Sequence, residues 1–120
     1  MAQNQKIDSL ANVLKRLPEG SDKIQTLNSI ATEWLDIALD SAEFYLGQSL
    51  ELGQNFGFSN QQADIQFRLA SRYYQKHRLS EAITHFQHSH QLYLASANDK
   101  RVADACYSLG AIYSSLGEFE

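Results

Sequence analysis

Two stretches of sequence that lie forty residues apart decide the fold: FRLASRYYQKHRLS at 67–80 and YSLGAIYSSLGEFE at 107–120. When they are aligned at that offset, similar residues fall on each other. The matched pairs are Ala63 with Ala103, Asp64 with Asp104, Leu69 with Leu109, Ala70 with Gly110, Tyr73 with Tyr113 and Leu79 with Phe119. A repeat period of about 20–50 residues predicts stacked supersecondary units. Each unit is expected to be a helical hairpin.

The spacing of apolar residues predicts six helices, because such residues recur at intervals of three and four over nearly the whole chain. The expected ranges are 4–17, 22–35, 39–55, 60–76, 81–96 and 98–117. Short polar side chains ahead of these ranges are typical N-caps. The expected caps are Ser21 or Asp22 for the second helix, Ser80 for the fifth, and Asn98 or Asp99 for the sixth. Ser59 with Gln62 has the capping-box pattern at the start of the fourth helix.

The composition indicates an all-α protein and argues against several classes of function. Among the 120 residues there is one proline, and 43% are hydrophobic, which favours helix over disordered or fibrous chains. The net charge is −4 and the basic residues form no stripe, so we expect no nucleic-acid partner. No apolar run approaches the ~20 residues of a membrane span, so we expect no direct membrane insertion.

The repeated units resemble the tetratricopeptide repeat. In LGAIYSSLGEF, the residues that match the family pattern are Leu109, Gly110, Tyr113, Gly117, Glu118 and Phe119. In LASRYYQKHRLSEAITHF, the matching residues are Leu69, Ala70, Tyr73, Glu81, Ala82 and Phe86. His77 stands where the family usually has glycine. Histidine tolerates a positive φ better than most other residues, so that turn is expected to form under some strain.

The resemblance implies a right-handed superhelical solenoid of α-α hairpins, with about two and a half repeats of about forty residues. Residues 1–20 would form an N-terminal helix and linker, and residues 21–120 the repeat domain. The units of that domain would be 21–58, 59–98 and a truncated 99–120. In such hairpins small residues let the paired helices approach closely, here Ala42, Ala70, Ala82 and Gly110. Aromatic residues fill the gaps between hairpins, here Trp34, Tyr73, Phe86 and Tyr113.

The resemblance also implies that a protein or peptide partner binds on the concave face, which the first helix of each hairpin lines. The implied lining residues are Asn28, Thr32 and Leu35, then Asp64, Phe67, Ser71, Tyr74 and Gln75, and finally Asp104, Tyr107, Ala111 and Ser114. Of these, Phe67, Tyr74 and Tyr107 are expected to contribute most of the contact energy, because rigid aromatics lose little entropy on binding. Ser71 and Ala111 stand where family members that clamp a peptide carboxylate have asparagine, which argues against chaperone tails as ligands.

Arg68 and Arg72 lie four residues apart on the predicted fourth helix. Side chains at this spacing share one helix face, so the two could bind an acidic ligand together. The alternative is that they pair with Asp64 or remain solvated.

The histidines and the single cysteine are the side chains that could bind a metal ion or act as a nucleophile. His85, His88 and His90 are expected on the outward, solvated face of the fifth helix, where no acidic or thiol ligand completes a metal set. Cys106 is expected to be a small packed thiol on the buried side of the sixth helix. No phosphate-binding glycine loop, HExxH motif or Ser-His-Asp set is present. We therefore expect no catalytic residue, no metal and no cofactor in this chain.

The sixth helix is expected to present apolar residues of which about half have no following helix to pack against. Its apolar residues are Ala105, Leu109, Ile112, Tyr113 and Leu116. In the family a second helix follows the turn at GEFE, so we expect the chain to be a piece of a longer protein. We also expect the open face to be covered by another copy, by the sixth helix swinging out to swap, or by neighbouring molecules in a crystal. The first alternative would give a homodimer.

The expected function is that of a protein-interaction module, the N-terminal sensory or scaffold segment of a larger bacterial signalling protein. LNSIATEW at 27–34 and SLELGQNFGF at 49–58 resemble the N-terminal regions of sensor histidine kinases. One alternative is a regulatory segment of a parent kinase or nucleotide cyclase that acts through dimerisation, and another is a self-assembly module. The residues after Met1 resemble a cleaved signal-peptide junction, so a periplasmic location is as compatible as a cytoplasmic one.

Overall fold

The computed structural model describes residues 2–53 and 59–117. These residues contain six helices and no strand, which confirms the all-α prediction. The helices are α1 (Ala2–Arg16), α2 (Ser21–Trp34), α3 (Leu39–Gly53), α4 (Ser59–Gln75), α5 (Leu79–Ala95) and α6 (Asp99–Gly117). The predicted end of the third helix at residue 55 lies outside the described residues, as do Glu118 and Phe119.

The helices pack mainly on their neighbours along the chain. The most extensive contacts join α4 to α5 and α2 to α3, followed by α5 to α6 and α1 to α2. Loops of three or four residues, 35–38 and 76–78, connect the helices of the two tightest pairs. Loops this short make the paired helices antiparallel. The resulting molecule is elongated, with principal extents of 52 × 34 × 19 Å.

The core lies where the α2–α3 and α4–α5 pairs meet, and small residues set its spacing. Ala31, Ala42, Ala70 and Ala82 are fully buried, so the helix backbones approach closely there. Larger side chains complete the cluster, namely Leu35, Leu39, Leu46, Ile65, Leu69, Tyr73, Phe86 and Ile112. The three alanines at 42, 70 and 82 therefore have the packing role that the sequence predicts.

Two of the predicted helix caps are wrong. The residue before α2 is Gly20, and no side chain caps the helix, so neither Ser21 nor Asp22 acts as its N-cap. The residue before α5 is Arg78, again with no side-chain cap, while Ser80 lies inside the helix. The helices begin one and two residues earlier than predicted, respectively, which places these polar side chains in the first turn.

The capping-box role predicted for Gln62 is also replaced by another contact. Gln62 is buried, and its amide donates to the Ser49 carbonyl and hydroxyl, each at 3.0 Å, so it joins α4 to α3. The cap predicted at Asn98 is confirmed, because its Oδ1 accepts a bond of 3.3 Å from the Arg101 backbone N–H. This is the N-cap contact expected three residues into a helix.

The turns after α4 and α5 share one left-handed geometry. His77 has φ 61° and Ala97 has φ 55°. In each turn the residue after the left-handed one donates back five positions: Arg78 to Tyr73 and Asn98 to Tyr93. This is the Schellman arrangement, which normally favours glycine at the left-handed position. The prediction that histidine takes a positive φ at 77 is therefore confirmed.

Candidate binding groove

Two clefts open where α4 faces its neighbours α2 and α6. The first, here called the polar cleft, lies between α2 and α4 and has a volume of about 280 Å³. It is lined by Gln25, Asn28, Ser29, Thr32, Gln61, Asp64, Ile65 and Arg68. The second, the apolar cleft, lies between α4 and α6 and has a volume of about 390 Å³. It is lined by Ser71, Tyr74, Gln75, Phe86, Tyr107, Ser108, Ala111 and Ile112.

The structure gathers most of the sequence-predicted lining residues into these two clefts. Asn28, Thr32 and Asp64 line the polar cleft, while Ser71, Tyr74, Gln75, Tyr107 and Ala111 line the apolar cleft. The remaining four, Leu35, Phe67, Asp104 and Ser114, line neither cleft. Leu35 is buried in the core, and Ser114 is exposed.

Phe67 and Asp104 lie in a filled contact between α4 and α6. Phe67 is half-buried and packs edge-on against Phe86, with ring centroids 5.1 Å apart. The Arg101 guanidinium lies 4.6 Å from the centroid of the Phe67 ring, close enough for a cation–π interaction. Arg101 also donates to the Asp104 carboxylate at 3.0 Å. These contacts fill the space between the N-terminal halves of α4 and α6, so the cleft opens only between their later turns.

The carboxylate of Asp64 accepts a hydrogen bond from the hydroxyl of Tyr93 on α5. Nε of Arg101 lies 3.8 Å from the same carboxylate and donates to the Tyr93 hydroxyl at 3.2 Å. Burial of the ring, together with the hydrogen bond to Asp64, raises the pKa of Tyr93 to about 12. The sequence analysis did not predict a role for Arg101. The signal was its position one turn before Asp104, on the face of α6 whose side chains contact Asp64 and Phe67 of α4.

The side chain of Asn28 bonds to other helices and is not open to a ligand. Asn28 is buried, its side-chain amide donates to Gln61 at 3.2 Å, and its side-chain oxygen accepts from the Ser49 hydroxyl at 2.5 Å. Both of its polar ends are therefore used to tie α2 to α4 and α3. The cleft surface comes from residues that sequence reasoning missed, Gln25 and Ser29, which follow the same three- and four-residue spacing on α2.

The two arginines on α4 have different partners. Arg72 bonds to the Asp36 carboxylate at 2.5 Å, outside both clefts, so it does not share a ligand with Arg68. Arg68 is exposed in the polar cleft. Within residues 2–53 and 59–117, no carboxylate lies within ion-pair distance of Arg68, because Asp64 contacts Tyr93 and Arg101 instead. Neither arginine pairs with Asp64, and the exposure of Arg68 agrees with the alternative that it remains solvated.

The prediction of a solvated histidine face fails at His85. Its side chain is only 14% exposed, and its ring stacks on Tyr73 with centroids 5.4 Å apart. Nδ1 lies 2.6 Å from the Gln66 amide oxygen and Nε2 lies 2.6 Å from the Glu43 carboxylate. The reason is that α5 packs against α4, and His85 lies on the flank of α5 from which its side chain also reaches Glu43 on α3.

His88 is exposed and His90 is half-buried. Partial burial, and then the nearby His85, lower the pKa of His88. Across the described part of the chain, no three His, Cys, Asp or Glu side chains are grouped closely enough to hold a metal ion.

Cys106 and Tyr113 also depart from their predicted burial. Cys106 is exposed rather than packed, and Tyr113 is 50% exposed. Gly110, expected to let a partner helix approach, has open space where a Cβ would lie. Cys106 and Gly110 lie on a side of α6 that none of the described helices covers. Tyr113 lies at the edge of that side, where its hydroxyl accepts a hydrogen bond of 3.2 Å from the Gln87 amide on α5.

No model of a known protein family matches the chain, and no curated protein or solved structure matches it either. Of the helices that the structure describes, none has the length and apolar character to cross a membrane.

Proposed function

We propose that this chain is a protein-interaction module of the tetratricopeptide-repeat type, which binds a peptide or a partner domain along α4. The observation that carries this proposal is the apolar cleft. Its two tyrosines are unusually open for large side chains: Tyr74 is 44% exposed and Tyr107 is 81% exposed. Exposed aromatics beside a cleft are typical anchors of protein interfaces, where Tyr and Trp contribute disproportionately to affinity.

The composition of the clefts favours binding over chemistry. No residue that lines the apolar cleft is charged, and the titratable pair in the polar cleft is one carboxylate and one guanidinium. A rim of amides and hydroxyls beside an apolar patch matches the usual anatomy of a protein interface. The role proposed for the chain is therefore recognition, without a catalytic step.

The test is to select binders from a displayed peptide library and to measure their affinity for two single variants. Tyr107→Ala should weaken binding at least about fivefold, because it removes an exposed anchor. Tyr113→Ala is the matched control, since Tyr113 lies on the same helix outside both clefts and should change little. Equal loss in both variants, or peptides whose NMR shifts map away from α4, would contradict the proposed groove.

A second candidate function, self-association through α6, is favoured by an internal comparison. Positions Ala63, Gln66, Ala70 and Tyr73 of α4 are all buried. Their counterparts forty residues later, Ala103, Cys106, Gly110 and Tyr113, are all exposed. A face that is packed in one repeat and open in the next is a candidate surface for a second copy. It would also serve a parent kinase or cyclase that is regulated by dimerisation.

Sedimentation equilibrium on two glycine variants tests this second candidate. Gly110 and Gly47 both lie in helices and have open space where a Cβ would be added, so the two sites are matched. If α6 forms the interface, Gly110→Glu should abolish the dimer and Gly47→Glu should leave it intact. A protein that stays monomeric over the accessible concentration range would rule this candidate out.

The proposal that the module belongs to a bacterial signalling protein is supported only by the resemblance of residues 27–34 and 49–58 to such proteins. Reading the gene on both sides of this segment tests it. A kinase or cyclase domain in the same frame would support a sensory or scaffold role. A frame without any such domain would favour a free-standing adaptor.

A further inference from the structure

We propose that the groove recognises an extended acidic peptide, with one carboxylate bound by Arg68 and one aromatic or aliphatic side chain in the apolar cleft. The two peptide residues would be separated by about two or three positions. This inference rests on the proposed function and adds the chemical class of the ligand to it.

Arg68 is the cation that the polar cleft leaves without a partner among the described residues. Asp64 lies one turn before it and would be its natural partner on a helix. That carboxylate is instead held by Tyr93 and Arg101, while the next arginine, Arg72, is paired with Asp36. Arg68 therefore offers all of its donors to a ligand, and a guanidinium binds a carboxylate through two parallel bonds.

The apolar cleft supplies the second contact. Phe86 and Ile112 form its floor and are almost fully buried, at 4% and 1% exposed. Tyr74 and Tyr107 stand at its sides as exposed rings. A floor of apolar atoms with aromatic walls and uncharged rim residues favours a Phe, Tyr, Leu or Met side chain. A charged side chain would lose its hydration there without gaining a partner.

The helix geometry sets the distance between the two contacts. Arg68 lies one turn before Ser71, the first α4 residue of the apolar cleft, and six residues before Tyr74. At about 1.5 Å per helical residue, Arg68 and Tyr74 are ~9 Å apart along α4. An extended peptide advances about 3.3 Å per residue, so about three residues span that distance. Because both clefts border α4, one short segment can cross the helix and reach both.

The surrounding charge favours a carboxylate over a phosphate. Asp64 lines the polar cleft with Arg68, and Arg101 joins the carboxylate of Asp64 to that of Asp104. Together with Arg68 these four groups sum to zero charge. A singly charged carboxylate can bind Arg68 with little repulsion. A phosphate group itself carries nearly two negative charges at neutral pH, so the two acids would repel it more strongly.

Short synthetic peptides and NMR titration test the proposal. The reference peptide carries Glu and Phe separated by two residues in a Gly-Ser background. Three others replace Glu with Gln, Phe with Ala, or Glu with phosphoserine. The Glu-Phe peptide should shift the amides of residues 68–75 and 107–112. It should bind about fivefold more tightly than the Gln peptide, the size expected for an exposed charged pair.

Variants separate the two contacts. The Arg68→Gln variant should bind the Glu and Gln peptides equally. It should still bind the peptide with Ala in place of Phe more weakly than the reference peptide. Arg16→Gln, an exposed arginine at the end of α1, is the control and should keep the preference for Glu. Equal binding of the Glu and Gln peptides to the unaltered protein overturns the acidic assignment and leaves the proposed groove standing. Tighter binding of the phosphoserine peptide overturns the choice of carboxylate. No shifts with any peptide would overturn both this inference and the proposed function.

Discussion

The hydroxyl of Tyr93 donates a hydrogen bond to the carboxylate of Asp64, which ties α5 to α4 directly beneath the groove. Tyr93 itself is fully buried. This bond fixes the orientation of Asp64 and, through Arg101, the contact between α4 and α6. A buried phenol that lines neither cleft therefore helps to fix the shape of the polar cleft, which Asp64 lines.

High pH should destabilise the protein through this same phenol. The pKa of Tyr93 is raised from 10.0 to about 12, so the folded state holds its proton more tightly than the unfolded state. Its contribution to stability is complete below pH 10 and is lost as the pH rises from 10 to 12. The measurement is the free energy of unfolding in urea across this range. Tyr93→Phe should make that dependence less steep and remove one late-titrating tyrosine from the absorbance titration. Some dependence should remain, because burial and the hydrogen bond to Glu43 also raise the pKa of Tyr73. An unchanged slope in the variant would contradict the assignment.

The left-handed turn at Ala97 should be improvable by a single substitution. Ala97 has φ 55°, where a Cβ costs energy that glycine avoids. Ala97→Gly should raise the free energy of unfolding by about 0.5–1 kcal/mol, after the extra entropy of glycine in the unfolded chain is subtracted. The same change at Ala103, an exposed helical position, should lower it by about 0.5–1 kcal/mol. If both variants were destabilised equally, the geometry of the turn would not explain the effect.

The helix pattern was readable from the sequence because it depends on local spacing. The buried alanines at 42, 70 and 82 and the positive φ of His77 were implied by the resemblance of the repeat to a known family pattern. The small size of alanine and the tolerance of histidine for positive φ are the physical reasons that agree with it. The burial of His85 was not readable, because its partners Gln66 and Glu43 lie 19 and 42 residues away and on two other helices. The predicted burial of Cys106 and Tyr113 is wrong for a different reason. The repeat predicts a helix that covers them, and the described residues do not include that helix.

Overpacking at Ala82 should destabilise the fold, as the close approach of the helices predicts. Ala82 is fully buried where α5 packs against the core. Ala82→Leu adds three carbon atoms to a filled space and should cost about 1–3 kcal/mol of unfolding free energy. Ala103→Leu adds the same atoms on the open side of α6 and should stay within about 0.5 kcal/mol of the original protein. Thermal unfolding of both variants makes the comparison, and equal melting temperatures would argue against tight packing at Ala82.

The buried amide of Gln62 should stabilise the contact between α3 and α4. It donates two hydrogen bonds to Ser49 at 3.0 Å, and Ser49 in turn donates to Asn28, so three helices share one polar network. Gln62→Ala leaves the Ser49 hydroxyl oxygen without its donor in a buried site, which should cost about 1–3 kcal/mol. Gln91→Ala, at an exposed position of α5, removes the same atoms from a solvated site and should cost far less. Urea unfolding with amide hydrogen exchange separates a local effect from a global one. Faster exchange confined to α3 and α4 supports the network, and uniform acceleration in both variants would point to a general loss of helix stability.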